Sequence, residues 1–309
     1  MAGMPVVTGA GVVLDPPAWA KRLAAAEAGY LFLDELTTCP PAVQAAMLAV
    51  ALDRTVGDLR LPDGVRVIAG ANPPDRAADG WEISPPLANR FAHVQYAPSV
   101  EDWLDGTRVG WSAPPASRAI GAEPIRSAAV LAAVTGFVQR RPDLLHAFPD
   151  TAAASGGAWP SRRVWDMLRR ALAHLRGDDH AAVQTVTFGL VGEGAGVEFL
   201  TWWREADLPD PSAVIADPSI VEWGDRPDRV WAVLSGVVGY AASQATVEAW
   251  RAAWGPLLAA AEHGAPDVAA AAARVLGRVR PAKAAVPAAV RTKFQPVLVA
   301  AGLAEVGAA

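Results

Sequence analysis

Short apolar runs alternate with helical patterns over the first hundred residues, whereas the rest of the chain repeats helical spacing with little strand character. Residues 30–33 and 65–71 are continuous β-rich runs, which predict strands of a parallel sheet covered on both faces. Residues 42–52, opened by two prolines and rich in alanine, predict a helix between these strands. Turn residues at 58–64 predict a short hairpin before the second strand. The pattern therefore predicts an α/β fold that contains a strand–helix–strand unit.

Apolar residues recur at helical spacing in the second part of the chain, most clearly over residues 127–139 and 162–175. A proline-containing stretch at 98–125 predicts a boundary before these helices, and two aspartates at 178–179 predict an exposed connection after them. The predicted divisions are an α/β part over residues 1–110, a helical lid over 111–178 and a helical C-terminal region over 179–309.

The charge and the apolar content of the chain exclude some classes of binding partner. The formal net charge of −5 and the pI near 5.6 provide no basic field, so binding to nucleic acid or anionic lipid is not expected. The apolar runs are shorter than a membrane span requires, and the N-terminus has no basic leader followed by an apolar stretch. Cys39 is the only cysteine, which excludes an internal disulfide and fits a reducing compartment. We therefore expect a cytoplasmic protein without nucleic-acid or membrane partners.

Two adjacent carboxylates, Asp34 and Glu35, follow the first predicted strand directly. Ligands of open α/β sheets bind at the carboxyl ends of the strands. Two acids at such a position are costly unless they meet a cation, and Mg²⁺ bound to nucleotide phosphates is a common solution. The alternative interpretation is that the acids cap the helix that follows.

Two further polar residues occur downstream at suggestive positions. Asn72 follows the second strand, where its amide is in position to orient a water molecule, although an asparagine before prolines is also a common turn residue. Arg90 closes a short polar segment that begins at Ser84, and an isolated arginine is commonly a solvated surface charge. Neither residue identifies a function by itself.

Taken in order and spacing, these motifs resemble those of the AAA+ ATPases, specifically the MoxR-like branch, over about residues 1–175. The resemblance implies that Asp34 ends the Walker B strand and holds Mg²⁺, and that Glu35 polarises the attacking water. It further implies that Asn72 is the sensor 1 residue and that Arg90 is an arginine finger. A finger of this kind reaches the nucleotide of a neighbouring subunit, so a homo-oligomeric ring is implied.

Two other segments extend the resemblance. Residues 159–165 are similar to the sensor 2 helix of the family, with Arg163 as the favoured phosphate contact and Arg162 as the alternative. A pair of surface charges at a helix start remains the other interpretation of these arginines. Residues 4–26 resemble the insert that precedes Walker B in this branch, with a β-like turn around Gly9 and Gly11 and a helix after it.

The phosphate-binding loop Gly-x-x-x-x-Gly-Lys-Ser/Thr does not occur in the sequence, because none of Lys21, Lys283 and Lys293 stands in that pattern. We favour the interpretation that the sequence starts at an internal methionine of a longer ATPase. The alternative is that the protein exists at this length and does not catalyse.

The resemblance to the AAA+ ATPases and the missing phosphate-binding loop lead to two hypotheses for the function. The first is an ATPase that binds ATP and Mg²⁺ and couples hydrolysis to the remodelling of a protein client, such as one with a von Willebrand A-type domain. The second is a non-catalytic scaffold that keeps the assembly surfaces. Nucleotide binding by these 309 residues alone is in doubt, because they lack the loop.

Overall fold

The computed structural model describes residues 3–9, 11–73, 76–77, 80–111, 121–224, 226–282 and 284–300. The fold is α/β, with a small parallel sheet near the N-terminus and a helical C-terminal region. The chain forms two compact units, of which unit 1 comprises Met1–His93 and Ala147–Val164, and unit 2 comprises Val94–His146 and Trp165–Ala309. The predicted boundaries at residues 110 and 178 are not tested by this division and stay predictions.

All six strands of the described residues belong to unit 1, together with four helices and a 3₁₀ helix at Leu36–Thr38. The strands are β1 (Met4–Thr8), β2 (Gly11–Asp15), β3 (Ala28–Leu33), β4 (Thr55–Val56), β5 (Leu59–Arg60) and β6 (Gly64–Ala69). The helices are α1 (Ala18–Ala25), α2 (Pro41–Leu52), α3 (Pro85–Ala88) and α6 (Ala152–Ser155).

The parallel pairing of β3 with β6 is the central feature of unit 1, and it confirms the predicted strand–helix–strand unit. The register runs from Ala28 opposite Gly64 to Leu33 opposite Ala69, so both strands end at the same edge. Between them lies α2, which starts with Pro41 in its first turn as predicted. The pairing brings together the residues that follow each strand.

Unit 1 has its core on one face of this sheet. Leu33 and Leu36 pack there with Met47 of α2 and Leu87 of α3, and all four side chains are buried. A second cluster of buried apolar residues lies farther along the same strands. In this cluster, Ala20 of α1 packs with apolar residues in and around β4, β5 and β6. The apolar faces of α1, α2 and α3 are therefore used to cover a single face of the sheet.

The prediction that these strands are covered on both faces is wrong. Tyr30, Phe32 and Ile68 alternate with the buried positions, and their side chains are 60%, 59% and 45% exposed. Because successive strand residues point to opposite faces, one row of side chains faces the helices and the other row has no cover among the described residues. A continuous apolar run could not distinguish one covered face from two.

The predicted hairpin lies slightly upstream of residues 58–64. Val56 pairs with Leu59 across a two-residue turn formed by Gly57 and Asp58, and Gly57 has a φ of 60°. This backbone conformation is easily adopted by glycine, which explains the position of the turn. The Pro62–Gly64 segment forms a separate turn into β6, closed by a hydrogen bond from Val65 N to Pro62 O.

Two paired antiparallel strands and a helix form the described part of residues 4–25, as the resemblance implies. Thr8 of β1 pairs with Gly11 of β2, and α1 follows after two prolines. Lys21 of α1 donates to Asp15 over 2.7 Å. The exposed apolar side chains Val7 and Val12 lie on these two strands.

Unit 2 is helical in its described residues, which confirms the predicted helical character of the later chain. Its helices begin with α4 (Val100–Val109), α5 (Pro124–Arg140), most of α7 (Arg162–Leu172), α8 (His180–Val191) and α9 (Glu193–Ala206). They continue with α10 (Pro211–Ala216), α11 (Pro227–Gln244), α12 (Val247–Ala252), α13 (Trp254–Glu262), α14 (Pro266–Arg278) and α15 (Ala288–Ala300). Asp179 caps α8 by accepting from Ala182 N, so the two aspartates lie in a connection as expected.

Small residues let α5 and α11 pack closely in unit 2. A Cβ atom added at Gly136 of α5 would lie 2.5 Å from Ala232 Cβ and 2.7 Å from the Trp202 ring. Trp202 itself is buried and donates from Nε1 to Asp228 Oδ2 over 3.1 Å. It therefore packs helices of unit 2 together.

No helix among the described residues is both long and apolar enough to cross a membrane.

Substitution of Gly136 by alanine should destabilise unit 2. The new methyl group has no space between Ala232 and Trp202, and overpacking of this kind costs about 1–3 kcal/mol. The control is Gly194→Ala on α9, where an added Cβ meets nothing within 4 Å. The control should raise the free energy of unfolding by up to about 1 kcal/mol, because alanine favours helix over glycine. Equal effects of both substitutions in urea denaturation would contradict the packing described.

Candidate functional site

The carboxyl edge of the two-stranded parallel sheet continues in hydrogen bonds beyond the strands. Gly70 N donates to Leu33 O over 2.8 Å, and Leu36 N donates to Gly70 O over 2.9 Å. These bonds fix the chain on both sides of Asp34 and Glu35, which are exposed at the end of β3. The backbone that carries the two carboxylates is thus tied to the segment that carries Asn72.

The side chains of Glu35 and Asn72 meet at this edge. Asn72 Nδ2 lies 3.3 Å from Glu35 Oε1 and 3.4 Å from Oε2, so the amide donates to the carboxylate. The backbone of Asn72 is held in turn by Thr37, whose buried hydroxyl donates to Asn72 O over 2.8 Å. The two residues are 37 positions apart in the sequence, and the strand pairing brings them into contact.

Glu35 has a backbone conformation that is uncommon for its residue type. Its φ of 52° and ψ of 47° lie in the left-handed region, which costs a residue with a Cβ about 1 kcal/mol. Strain of this kind is often found where a side chain must be aimed at a ligand. Here it turns the chain from β3 into the 3₁₀ helix while the Glu35 side chain stays beside Asn72.

Asp34 lies beside Glu35 and faces Gly70. Its Oδ1 accepts from Glu35 N over 3.1 Å, and a Cβ added at Gly70 would lie 3.3 Å from the same oxygen. Among the described residues, no group of three or more histidine, cysteine, aspartate or glutamate side chains could hold a metal. The acidic side chains that the structure shows at this edge are those of Asp34 and Glu35, and a bound Mg²⁺ stays a prediction.

Arg90 follows α3 and lies in a partly buried position. One terminal nitrogen donates to Pro86 O, and Nε is buried without a hydrogen-bond partner among the described residues. Burial lowers the pKa of the Arg90 guanidinium below its ordinary value, and the nearby Arg163 lowers it further, while Asp53 opposes them. Arg90 and Arg163 thus form a pair of neighbouring positive charges.

Glu35 precedes the N-terminus of α2, whereas Asp53, whose charge raises the pKa of Arg90, follows its C-terminus. Hydrogen bonds join Glu35 to Asn72 and to Asp34, and the charge of Arg163 acts on Arg90.

A buried polar link holds the arginine pair in place. Asn89 Nδ2 donates to Trp159 O over 3.1 Å, and Ser161 Oγ donates to Asn89 Oδ1 over 2.5 Å. Ser161 Oγ also accepts from Val164 N, which caps the start of α7. Arg90 follows Asn89 directly, and Arg163 lies in the first turn of that helix, so the link sets their spacing.

Arg162 and Arg163 are both exposed at the start of α7. Of the two, Arg163 is the one whose charge lowers the pKa of Arg90. The role of either arginine stays a prediction.

Sequence reasoning missed the supporting residues Thr37, Asn89 and Ser161. Ser161 had a detectable signature, because a serine directly before a predicted helix is a common N-cap. Thr37 and Asn89 had none, since their partners Asn72 and Trp159 are distant in sequence.

Comparisons of the chain with protein families, with curated proteins and with solved structures found no match. A functional interpretation therefore depends on the two pairs described above, one acidic with an amide and one basic. The acidic pair is the more informative, because carboxylates and an amide at the carboxyl edge of parallel strands are suited to a bound cation and an oriented water.

Two substitutions of Glu35 separate the backbone strain from the side-chain contact. Glu35→Ala and Glu35→Gly both remove the carboxylate that accepts from Asn72, but only glycine relieves the left-handed backbone. We expect Glu35→Gly to be more stable than Glu35→Ala by about 1 kcal/mol in urea denaturation. An alanine variant as stable as the glycine variant would show that residue 35 is not held in this conformation.

Proposed function

We propose that unit 1 belongs to the nucleotide-hydrolysing core of an AAA+ ATPase of the MoxR-like type, which couples ATP hydrolysis to the remodelling of a protein client. The observation that carries the proposal is the hydrogen bond between Asn72 and Glu35 at the carboxyl edge of β3 and β6. A carboxylate held by an amide at this edge is suited to activating a water molecule.

In this function Glu35 accepts a proton from the water that attacks the terminal phosphate. The amide of Asn72 donates to the carboxylate and limits its rotation, and Thr37 fixes the backbone of Asn72. Orientation of a general base before the reaction reduces the reorganisation that the transition state would otherwise require. Glu35 and Asn72 therefore act as one unit.

Asp34 is the residue that would hold Mg²⁺, either directly or through water. Its exposed carboxylate is an oxygen ligand of the kind that Mg²⁺ takes when phosphate oxygens and waters complete its coordination. When bound, Mg²⁺ neutralises charge on the phosphates. Asp34 itself accepts from Glu35 N, which keeps the two carboxylates at a defined spacing.

The phosphate-binding loop that this activity requires is not among the 309 residues. Lys21 is paired with Asp15 of β2 and is not in a phosphate-loop sequence. The proposal therefore applies to a form of the protein that contains such a loop. The protein as its own cells make it, called the native product below, is the form to test.

Arg90 is proposed to contact the nucleotide of a neighbouring subunit in a homo-oligomeric ring, and Arg163 is proposed to contact a nucleotide phosphate. One feature supports these roles: the two guanidiniums carry like charges that repel each other. An anionic phosphate placed between them would relieve that repulsion.

Glu35→Gln is the substitution that tests this function. Glutamine keeps the size of the side chain and removes its basicity, so ATP turnover should fall at least about 100-fold while Mg-ATP binding is retained. Glu27→Gln is the matched control, since Glu27 is exposed just before the other end of β3. Steady-state turnover and equilibrium binding are measured on the native product.

Unchanged turnover in Glu35→Gln would exclude Glu35 as the base. Equal losses in Glu35→Gln and Glu27→Gln would instead indicate a general effect on the strand.

A non-catalytic scaffold is the second candidate, and the uncovered apolar face formed by Tyr30, Phe32 and Ile68 favours it. Exposed apolar surface of this kind is common where a protein contacts another protein. Such a scaffold would keep the assembly surfaces and not use nucleotide.

The response of thermal unfolding to Mg-ATP distinguishes the two functions. A nucleotide-binding core is stabilised by about 2.7 kcal/mol when Mg-ATP is at a hundredfold excess over Kd, and its melting temperature rises accordingly. We expect this rise for the native product. A melting temperature independent of Mg-ATP would favour the scaffold, and Mg²⁺ with a nonhydrolysable nucleotide controls for turnover during heating.

A further inference from the structure

A cleft of about 660 Å³ opens in unit 2, away from the residues discussed so far. Its walls are α8 and α9, and the N-terminal part of α5 and the connection at Gly177 close one side. The volume lies within the range of small-molecule sites in proteins, which is roughly 300–1,000 Å³. No residue of this cleft belongs to the proposed ATPase site.

The cleft has an apolar wall and three basic side chains. Val183, Phe188 and Leu200 form the apolar part, contributed by α8 and α9. Arg126, Arg204 and His180 are the basic groups. A cleft that combines basic side chains with apolar side chains suits a ligand that has an anionic end and an apolar body.

Arg126 is the half-buried member of the basic group. Its guanidinium carbon lies 5.3 Å from the centre of the Trp203 ring, a cation–π distance, and its Nε donates to Leu172 O over 3.4 Å. Burial lowers the pKa of Arg126 below its ordinary value. Trp203 therefore packs against a side chain that lines the cleft.

No carboxylate among the described residues lies within ion-pair distance of Arg126 or Arg204. The nearest acidic residues in sequence to the Gly177 connection are already engaged, since Asp178 pairs with Arg176 over 2.7 Å and Asp179 caps α8. A partly desolvated guanidinium without an acid is costly, and an anion in the cleft would offset that cost.

Gly177 leaves space for this guanidinium. A Cβ added there would lie 3.1 Å from a terminal nitrogen of Arg126, so any side chain at 177 would crowd the group. The connection thus permits the guanidinium to reach the cleft.

We propose that the cleft between α8 and α9 is a binding site for a small amphipathic organic anion, with its carboxylate on Arg126 and Arg204 and its apolar body against Val183, Phe188 and Leu200. The planar fork of an arginine matches the two oxygens of a carboxylate. The apolar wall selects against small inorganic anions, which cannot use it. This site is independent of the proposed ATPase function.

Titration of the full chain with 4-phenylbutyrate, followed by NMR or calorimetry, tests the site. We expect a Kd of about 1 mM, which is typical of a ligand of this size. The uncharged isostere 4-phenylbutyramide should bind at least about tenfold more weakly, because it loses the charged hydrogen bonds. Inorganic phosphate should also bind at least about tenfold more weakly, because it lacks the apolar body.

Variants assign the binding to the cleft. Arg204→Gln removes an exposed side chain and should weaken binding by about fivefold or more, and Arg126→Gln should weaken it further. Arg251→Gln, an exposed arginine on α12 outside the cleft, should bind like the unaltered protein. Circular dichroism checks that each variant is folded, and Arg204→Gln remains decisive if Arg126→Gln is not.

Three results would overturn the proposal. Equal binding of the acid and the amide would mean that the cleft takes apolar molecules without regard to charge. Phosphate bound as tightly as 4-phenylbutyrate would mean that the arginines act without the apolar wall. Binding unaffected by Arg204→Gln and Arg126→Gln, or reduced equally by Arg251→Gln, would place the ligand elsewhere.

Discussion

The parallel pairing of β3 with β6 is the constraint on which the candidate active site depends. Parallel strands end at the same edge, so the register that sets Leu33 opposite Ala69 also brings Glu35 to Asn72. The hydrogen bonds of Gly70 to Leu33 and of Leu36 to Gly70 extend the pairing past both strands. A shift of this register by one residue would exchange the buried and exposed faces and separate the pair.

The sequence was informative where the physics is local. Continuous β-rich runs predicted the positions of β3 and β6, and two prolines predicted the start of α2. The helical spacing of apolar residues predicted α5 and α7 to within a few residues. The order of acids, asparagine and arginine predicted which residues to consider together, and Glu35 and Asn72 do lie in contact. The roles of these residues stay predictions.

What the sequence could not predict depends on contacts between distant residues. The exposure of Tyr30 and Phe32 depends on which helices reach the second face, and an apolar run carries no information on that. The link from Asn89 to Trp159 and Ser161 joins residues about 70 positions apart. The unit 2 cleft likewise needs Arg126 and Trp203 to meet, and neither residue stands in a recognisable motif.

We propose that Glu35 and Asn72 act as one unit on the attacking water, and a double-mutant cycle on ATP turnover of the native product measures their coupling. We expect Asn72→Ala to slow the unaltered protein at least about tenfold but to have little further effect when Glu35 is already glutamine. If Asn72→Ala slows both backgrounds by the same factor, the two side chains act independently and do not form one unit.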